Sequence, residues 1–358
     1  MRGENNTKRG MVRGSLFETV LRILLEQSGF SLVRPGAEHA GKVRMNRANF
    51  VELKGRGGWH QIDCPFDYDG FIPFLYPVRL LGEAKFLQKE VQKNSIRSFI
   101  GVLKDIQENY FVDDSLTDSM VRGRRMELGA FFAANGFNPE AEKLAYAHGI
   151  RTISYRNNLA IADIKDRILL LEERYISSAK LSESGRGGRK DFIEKFEMVL
   201  RGEKTGEEFA WDFDLQPGAG QALEELGDFL REIRTNFLAS TDTGVLLHFL
   251  GEEPFPEELF SQSDEARCRV RYVLTGQETR FYLVFSGDER ERRFYFTPPD
   301  SLSEAALFGG NVLDEKERHL KVLHTQIMIK GLRRSLDIKL DQDWLEARRE
   351  LNMTPETF

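Results

Sequence analysis

A polar stretch near the middle of the chain is the sequence feature that most constrains its fold. Residues 180–190 read Lys-Leu-Ser-Glu-Ser-Gly-Arg-Gly-Gly-Arg-Lys, a composition typical of a linker or an exposed loop. A chain of 358 residues is also long enough for two domains of ordinary size, each burying its own core. The sequence therefore predicts a first domain over residues 1–180 and a second domain over residues 191–358.

The two halves differ in charge. Residues 1–180 contain 27 Lys and Arg against 22 Asp and Glu, whereas residues 181–358 contain 24 against 35. The basic half is the candidate for contact with a polyanion. The acidic half shows no catalytic motif, and recognition of a partner, regulation of the first domain and assembly, including a homodimer, all stay open as its role.

Hydropathy and cysteine usage predict a cytoplasmic protein with no membrane partner. We find no run near the roughly 18 apolar residues of a membrane span and no apolar signal segment at the start. Cys64 and Cys268 lie far apart in the chain, without the paired spacing of a zinc site. We expect both to be free thiols, with Cys64 in the core.

Hydrophobic periodicity predicts an α/β fold for the first half, in which helices flank a mixed sheet. Residues 1–14 are predicted to be a loosely attached arm, and a helix runs from Ser15 to about Ser28, where Gly29 ends it. The remaining predicted elements are strands at Phe50–Leu53, Gln61–Phe66, Pro77–Lys85, Glu127–Ala134 and Ile150–Tyr155, a helix at about Glu90–Tyr110, and a helix bounded by Asn138, Pro139 and Gly149.

The second half is predicted to be an α+β domain rich in antiparallel strands. Four segments alternate apolar and polar residues at strand spacing. They are Val245–Leu250, Arg267–Leu274, Thr279–Phe285 and Arg292–Phe296. The last three are expected to form a meander.

The chemistry is predicted at Asp63, Glu83 and Lys85. Glu83 and Lys85 share one face of a strand because side chains alternate with a period of two, and Asp63 on the neighbouring strand can reach them. Two carboxylates with a backbone carbonyl form a hard oxygen site that suits Mg²⁺. The bound ion would polarise a phosphodiester and activate water, and the lysine would orient that water or stabilise the developing charge.

These residues make the chain resemble the PD-(D/E)XK nuclease superfamily, and in particular its restriction-endonuclease-like Mrr-type branch. Ile62-Asp63 is followed, after 19 residues, by Glu83-Ala84-Lys85, and an early helix carries Glu18. Residues 131–150 resemble the strand-helix-strand segment that closes the Mrr-type core. The resemblance covers about residues 15–156. The chain departs from the common pattern at residues 59–61, where Trp-His-Gln replaces Gly-Asp-x-Gly, and at Glu83, where many relatives have glutamine.

The resemblance implies a restriction-endonuclease-like fold and a Mg²⁺-dependent endonuclease that hydrolyses DNA, in restriction or phage defence, with Mn²⁺ able to substitute. Asp63 and Glu83 would be metal ligands, the carbonyl of Ala84 a third ligand and Lys85 the catalytic lysine. Glu18 would be the supporting acid. Further candidates for contact with DNA are His60, Gln61, Arg122, Arg124 and Arg125.

Each assignment has a structural alternative. Glu83 and Lys85 could form an ion pair on a solvated strand face, and Ser15 and Glu18 fit a capping box. His60 could be an ordinary polar loop residue, and the three arginines could form a solvated basic turn. The alternative functions are a non-catalytic nucleic-acid-binding or sensor module that keeps the nuclease fold, and a nuclease of DNA repair.

Overall fold

The chain divides into two compact units in a computed structural model. One unit comprises Met1–Arg156 and Ile161–Leu230, and the other Asn157–Ala160 and Arg231–Phe358. The structure describes residues 2–36, 41–46, 50–68, 76–109, 124–156, 158–175, 185–241, 246–251, 253–255, 257–260, 263–275, 278–288, 290–297, 322–329, 332–341, 343–344 and 347.

The first unit is built around a mixed five-stranded sheet with the order β1-β5-β6-β7-β8. Strands β1, β5 and β6 are antiparallel, and β6, β7 and β8 are parallel. A separate antiparallel sheet contains β2, β3 and β4. The elements are α1 (Arg2–Gln27), β1 (Phe30–Leu32), β2 (Val43–Met45), β3 (Val51–Lys54), β4 (Trp59–Gln61), β5 (Cys64–Tyr68), β6 (Val78–Lys85), α2 (Lys93–Gln107), β7 (Met126–Ala133), α3 (Pro139–Ala147) and β8 (Arg151–Ser154).

Two adjacent phenylalanines on β7 show that helices cover both faces of this sheet. Phe131 packs edge-on against Phe99 of α2, with 5.7 Å between the ring centroids. Phe132 stacks on Tyr155, which contacts Phe17 of α1. Because neighbouring strand residues point to opposite faces, α2 and α1 lie on opposite sides of the sheet. The predicted mixed α/β architecture is confirmed at this level.

The first helix begins earlier than the sequence predicts. It starts at Arg2, so the prediction of a loose arm over residues 1–14 is wrong for residues 2–14. Ser15 is buried inside the helix, and its carbonyl accepts a hydrogen bond from the Thr19 hydroxyl at 2.9 Å. Arg13 lies 3.5 Å from the carboxylate of Glu172, a tertiary contact that supports the early turns. Gly29, with a φ of 89°, follows the end of the helix as predicted.

The boundary between the units lies further along the chain than predicted. Residues 180–184 lie outside the described residues, and residues 185–190 form the start of a helix rather than a linker. The helices after β8 are α4 (Leu159–Leu170), followed by a π-helical turn (Leu171–Tyr175), α5 (Gly185–Leu200), α6 (Gly206–Asp212) and α7 (Ala219–Glu232). Phe192 and Phe196 on α5 are buried at helical spacing, which ties this helix to a core.

Among its described residues, the second unit contains seven strands that form a closed barrel. They are β9 (Thr235–Thr241), β10 (Leu246–Gly251), β11 (Glu265–Thr275), β12 (Glu278–Phe285), β13 (Phe294–Thr297), β14 (Val322–Ile329) and β15 (Leu332–Leu340). Their order is β10-β13-β12-β11-β15-β14-β9, and β9 pairs with β10. Within the barrel β11 and β15 pair in parallel, and the other described strand pairs are antiparallel. The predicted meander of β11, β12 and β13 is confirmed, whereas the sequence analysis missed β9, β14 and β15.

The barrel interior is aromatic. Phe237 and Phe249 stack at 4.8 Å between ring centroids, and Phe255, Phe285 and Phe294 pack together beside them. Such rings bury large apolar areas, and their offset and edge-on contacts add stabilisation beyond area alone. Across the described part of the chain, no helix has the length and apolar character needed to cross a membrane.

Candidate active site

The turn between β4 and β5 places Asp63 beside the end of β6. The amide of Ile62 donates to the carbonyl of Val51 at 3.2 Å, so the chain belongs to the small sheet until just before Cys64. Ala84 on β6 lies past the Cys64–Gly82 pair at which β5 begins. Its amide donates a hydrogen bond to Asp63 Oδ2 at 3.0 Å. The carboxylate thus takes the place that a strand carbonyl would occupy, which fixes it at the edge of β6.

Glu83 and Lys85 lie on the same face of β6. In the register with β7 they stand beside Phe131 and Ala133, which belong to the core under α2. The Lys85 ammonium donates a short hydrogen bond to Glu83 Oε1, and its Nζ lies 4.0 Å from Asp63 Oδ2. The predicted convergence of Asp63, Glu83 and Lys85 is therefore present in the structure.

Cys64 lies on the opposite face of the strand, as predicted, and is fully buried as a free thiol. Burial raises the pKa of this thiol well above its ordinary value, so Cys64 is a core residue and not a nucleophile. Gly82 stands opposite Cys64 in the strand pair. A Cβ at Gly82 would lie 2.7 Å from the Cys64 Cβ and 3.1 Å from the Phe132 ring, so glycine permits the close packing behind the site.

The accessibility of the three side chains increases from the sheet edge outwards. The side chain of Asp63 is 9% exposed, that of Glu83 22% and that of Lys85 32%. Asp63 is therefore held at the base of the site, where its bond to the Ala84 amide fixes it. Lys85 lies where a ligand from solvent would arrive first.

Burial raises the pKa of both carboxyl groups. For Asp63 burial outweighs the opposing effects of the Lys85 charge and the Ala84 amide. For Glu83 burial acts together with the negative charge of Asp63, and Lys85 only partly compensates. Two carboxylates of like charge are thus held close together in a poorly solvated place. That arrangement costs stability, and carboxyl groups with raised pKa values are a known feature of functional sites.

The pKa of Lys85 is raised, although burial alone would lower it. The charges of Glu83 and Asp63 and the hydrogen bond to Glu83 outweigh the loss of solvation. Lys85 therefore stays an ammonium at neutral pH. Its chemistry is that of a positive hydrogen-bond donor, and it is unsuited to act as a general base.

The donor set fits a hard divalent cation. Asp63 and Glu83 each engage a protein donor through one carboxylate oxygen, Oδ2 and Oε1 respectively. In an extended strand the N–H and C=O of a residue point to the same edge, so the carbonyl of Ala84 points to the side where Asp63 lies. Within the described ranges no group of three or more His, Cys, Asp or Glu side chains could hold a metal ion. The carbonyl of Ala84 is the third ligand that the family resemblance implies.

Helix α1 contributes two further charges to this region. Glu18 lies inside the helix, and the capping box proposed for Ser15 and Glu18 is excluded because α1 begins at Arg2, so Ser15 is not at its start. The Glu18 charge also raises the pKa of Lys85, by less than the charges of Glu83 and Asp63 and the hydrogen bond to Glu83 do. Arg22, one helical turn later, opposes the burial that raises the Asp63 pKa. Arg22 was not among the residues predicted from the sequence, although its spacing of four residues from Glu18 places both on one helix face.

His60 has a structural partner. Its Nε2 lies 2.6 Å from Asp105 Oδ2 on α2, and the same carboxylate accepts the Gly57 amide at 2.9 Å. The hydrogen bond with His60 contributes most to lowering the pKa of Asp105, and the bond from the Gly57 amide contributes next. They fasten the glycine-rich turn to α2. A Cβ at Gly55 would lie 2.1 Å from Asp105 Oδ2, so glycine is needed here.

Gln61 does not share a strand with Asp63, although the sequence analysis placed both in one strand over Gln61–Phe66. That segment divides at Ile62 into β4 and β5, which belong to different sheets. Gln61 is exposed and stands opposite Glu52 in the small sheet. Contacts of His60 and Gln61 with DNA stay predictions.

Two of the predicted arginines, Arg124 and Arg125, lie away from the acids. Arg122 is outside the described residues. Arg124 and Arg125 precede β7 at the end where β6 begins, about 26 Å or more along the strands from Lys85 at the rise of an extended strand. Arg125 lies 3.7 Å from Asp67, and the Arg124 guanidinium lies 5.1 Å from the ring centre of Tyr76. A role for these two in DNA contact therefore concerns a surface separate from the candidate site.

Comparison with known proteins adds little to this geometry. No family model and no curated protein matches the chain. A solved structure of a protein of unknown function, AF1548, shares 17% sequence identity with it, at a TM-score of 0.34. That match covers 61% of this chain and 98% of the other.

Proposed function

We propose that the first unit is a Mg²⁺-dependent endonuclease of the PD-(D/E)XK type that hydrolyses DNA phosphodiester bonds, in the restriction or defence setting that the resemblance implies. The observation that carries the proposal is the convergence of Asp63, Glu83 and Lys85 at the end of β6. Support also comes from the parallel order of β6, β7 and β8 with α3 between the last two, which agrees with the strand-helix-strand of the Mrr-type core.

Asp63, Glu83 and the carbonyl of Ala84 would hold the ion, and Mn²⁺ offers a similar oxygen-binding substitute. When bound, such an ion polarises a phosphodiester and makes water a stronger nucleophile. Lys85, held as an ammonium by its two acidic neighbours, would donate a hydrogen bond to a phosphate oxygen or to the attacking water. This stabilises the negative charge that grows on the phosphate oxygens as the bond to the leaving group breaks.

The test is cleavage of plasmid and linear DNA by the full chain with Mg²⁺ or with EDTA. Lys85→Ala should lower the cleavage rate by about 10²–10³-fold, the range measured when one charge-stabilising donor is removed from an active site. Lys93→Ala is the matched control, because Lys93 pairs with Glu140 at 3.0 Å on an exposed surface of the same unit. We expect the control to cleave normally.

Two outcomes would contradict the proposal. Undiminished cleavage by Lys85→Ala would remove that residue from the reaction. Binding of DNA by the wild-type chain with no cleavage in either Mg²⁺ or Mn²⁺ would favour the non-catalytic binding module instead.

A further inference from the structure

The outer surface of the barrel carries a basic patch that the nuclease proposal does not use. Along β11, β12 and β13, alternate residues such as Val270 and Phe281 belong to the barrel core. The residues between them face outwards, because side chains alternate along a strand. Six outward-facing residues form what we call the arginine–tyrosine face: Arg269, Arg271, Arg280, Tyr282, Arg293 and Tyr295.

The strand register brings the two tyrosines of this face together. Tyr282 on β12 stands opposite Tyr295 on β13, with 5.6 Å between the ring centroids, and opposite Arg271 on β11. The Arg293 guanidinium lies 5.1 Å from the centre of the Tyr282 ring, and that of Arg280 lies 4.6 Å from the centre of the Tyr295 ring. Each tyrosine therefore supports one arginine by a cation–π contact.

The arginines of the face, and not its rings, are presented to solvent. Tyr282 is only 4% exposed although it faces outwards, and Tyr295 is partly buried. Arg280 and Arg293 are exposed. A guanidinium that stacks through its flat side still has N–H donors along its edge, in the fork that matches a phosphate. The face thus offers supported phosphate-binding donors and little aromatic surface on which a base could stack.

One part of the positive charge on β11 is balanced within the barrel. Asp341, which is almost fully buried, binds Arg271 at 2.7 Å and lies 3.4 Å from Arg269. Arg267, two residues before Arg269, lies 4.0 Å from Glu265 at the start of β11. A single carboxylate therefore serves both Arg269 and Arg271, which leaves one positive charge on this strand.

The charge on the other two strands is less balanced. Among the residues that the structure describes, Arg280 and Arg293 form no ion pair with an acid, and the hydrogen bond of Arg293 goes to Tyr295. The four arginines of the face therefore exceed its one carboxylate by three charges. The balance stays positive when Glu278, which begins β12, and Glu291, which precedes β13, are included.

This basic face belongs to an acidic part of the chain. Residues 231–358 contain 18 Lys and Arg against 23 Asp and Glu. The net charge of the unit repels a polyanion, and the attraction is confined to the place where arginines are concentrated. A polyanion that contacts the barrel would therefore do so through the arginine–tyrosine face.

We propose that the arginine–tyrosine face binds the phosphate backbone of duplex DNA, with Arg280 and Arg293 as the main contacts. The choice of DNA rests on the proposed nuclease function. Because the rings are covered, the bases take no part, and the contact is independent of sequence. The barrel then anchors the substrate, which gives the acidic half of the chain a role in recognition.

The test measures binding of the full chain in EDTA, so that cleavage plays no part. The probes are two blunt duplexes of unrelated sequence, labelled for fluorescence anisotropy and titrated at several salt concentrations. Arg280→Gln combined with Arg293→Gln should lower the steepness of the log–log salt dependence by about 1.8, because each phosphate contact contributes about 0.9. The reduction should be the same on both duplexes.

Two further variants separate this contact from general charge. Arg97→Gln combined with Lys143→Gln removes the same charge from exposed positions on α2 and α3, and it should leave the salt dependence unchanged. Arg280→Lys combined with Arg293→Lys keeps the charge and should keep the salt dependence. Its affinity should fall a few-fold, because an ammonium lacks the planar fork. Melting curves establish that each variant is folded.

Failure of this inference and failure of the nuclease proposal give different results. An unchanged salt dependence in the folded Arg280→Gln, Arg293→Gln variant, or a reduction on only one duplex, would overturn the face as a backbone contact even if the wild type cleaves DNA. The predicted reduction without any cleavage in Mg²⁺ would support the face and overturn the nuclease.

An acidic protein is the other partner that such a face could fit, and labelled polyglutamate is the probe for it. If the double glutamine variant loses binding to polyglutamate while its binding to both duplexes is unchanged, the face recognises an acidic protein and the inference is wrong. A loss of duplex binding that exceeds any loss of polyglutamate binding would support the assignment to DNA.

Discussion

In the barrel, His248 is fully buried, and its Nε2 lies 2.7 Å from the amide oxygen of Asn236. A neutral partner satisfies a neutral imidazole, and this pair costs little at neutral pH. At the end of β6, Asp63 is nearly as buried but lies beside Glu83, a group of the same charge. The neutral His248–Asn236 pair is compatible with a stable fold. The neighbouring carboxylates of Asp63 and Glu83 lower the stability of the folded state, and active sites commonly retain such a loss of stability because their function requires it.

The two structural units differ less in net charge than the two halves of the sequence do. Residues 1–230 contain 33 Lys and Arg against 34 Asp and Glu, and residues 231–358 contain 18 against 23. The acidic helices α5 to α7 belong to the first unit, so its net charge is close to zero. The basic balance that favoured a polyanion partner is therefore local to residues 1–180 and is not a property of the whole first unit.

The largest expected effect would test the contrast at Asp63 itself. Asp63→Asn keeps an oxygen that can accept the Ala84 amide but removes one of the two like charges. We expect cleavage to fall by about 10²–10³-fold, since a charge at the reacting centre is lost. The melting temperature should stay equal or rise, because a carboxylate whose pKa is raised by burial destabilises the folded state at neutral pH.

The matched control for this prediction is Asp105→Asn. Its hydrogen bonds to His60 and Gly57 lower the Asp105 pKa, so its charge stabilises the folded state. This variant should melt at a lower temperature and cleave DNA normally. If Asp63→Asn instead lowers the melting temperature and cleaves at the wild-type rate, Asp63 is a structural residue like Asp105.

A smaller effect is expected for His248 in the barrel, where burial should make the stability of the fold depend on pH. Burial lowers the pKa of His248 to about 3, against an ordinary value near 6.5. The unfolded chain thus binds more protons than the folded barrel between these values, and stability falls as the pH drops from about 6.5 towards 3. The slope approaches at most about 1.4 kcal/mol per pH unit. Trp344, which packs against Tyr272, reports barrel unfolding once Trp59 and Trp211 are replaced by phenylalanine.

The measurement is urea unfolding of that protein at several pH values. His248→Gln should flatten the acid side of the stability profile, whereas His148→Gln, at an exposed position on α3's C-terminal side, should leave it unchanged. An equally steep loss of stability in His248→Gln would show that other groups cause the acid sensitivity.

The sequence predicted the candidate site because its decisive contacts are local or lie on neighbouring strands. The two-residue spacing of Glu83 and Lys85 fixes their shared face, and the alternation also places Cys64 on the opposite side from Asp63. The Asn138 cap was equally local, and its side chain accepts the Glu140 amide at 3.0 Å. Such features depend on the backbone geometry of a few residues.

The features that the sequence analysis missed depend on contacts between distant segments. The early start of α1 involves Arg13 and Glu172, and the break between β4 and β5 depends on the bond from Ile62 to Val51. Barrel closure needs β9 to pair with both β10 and β14. Periodicity within a segment says nothing about which distant segment it will pack against, so these features could not be read from it.

The smallest expected effect concerns Glu18, which lies on α1 and whose charge acts on Lys85 of the candidate site. Glu18→Gln removes a charge that contributes least among the causes named for the Lys85 pKa. Since Ser15 is inside α1, no helix cap is lost, and we expect a change in unfolding free energy of about 0.5 kcal/mol or less. If Glu18 positions the reacting groups, cleavage should fall about tenfold, the lower limit for a supporting acid near a metal site. A lower melting temperature with an unchanged cleavage rate would mean that its role is structural, and α1 would then contribute only packing to the site.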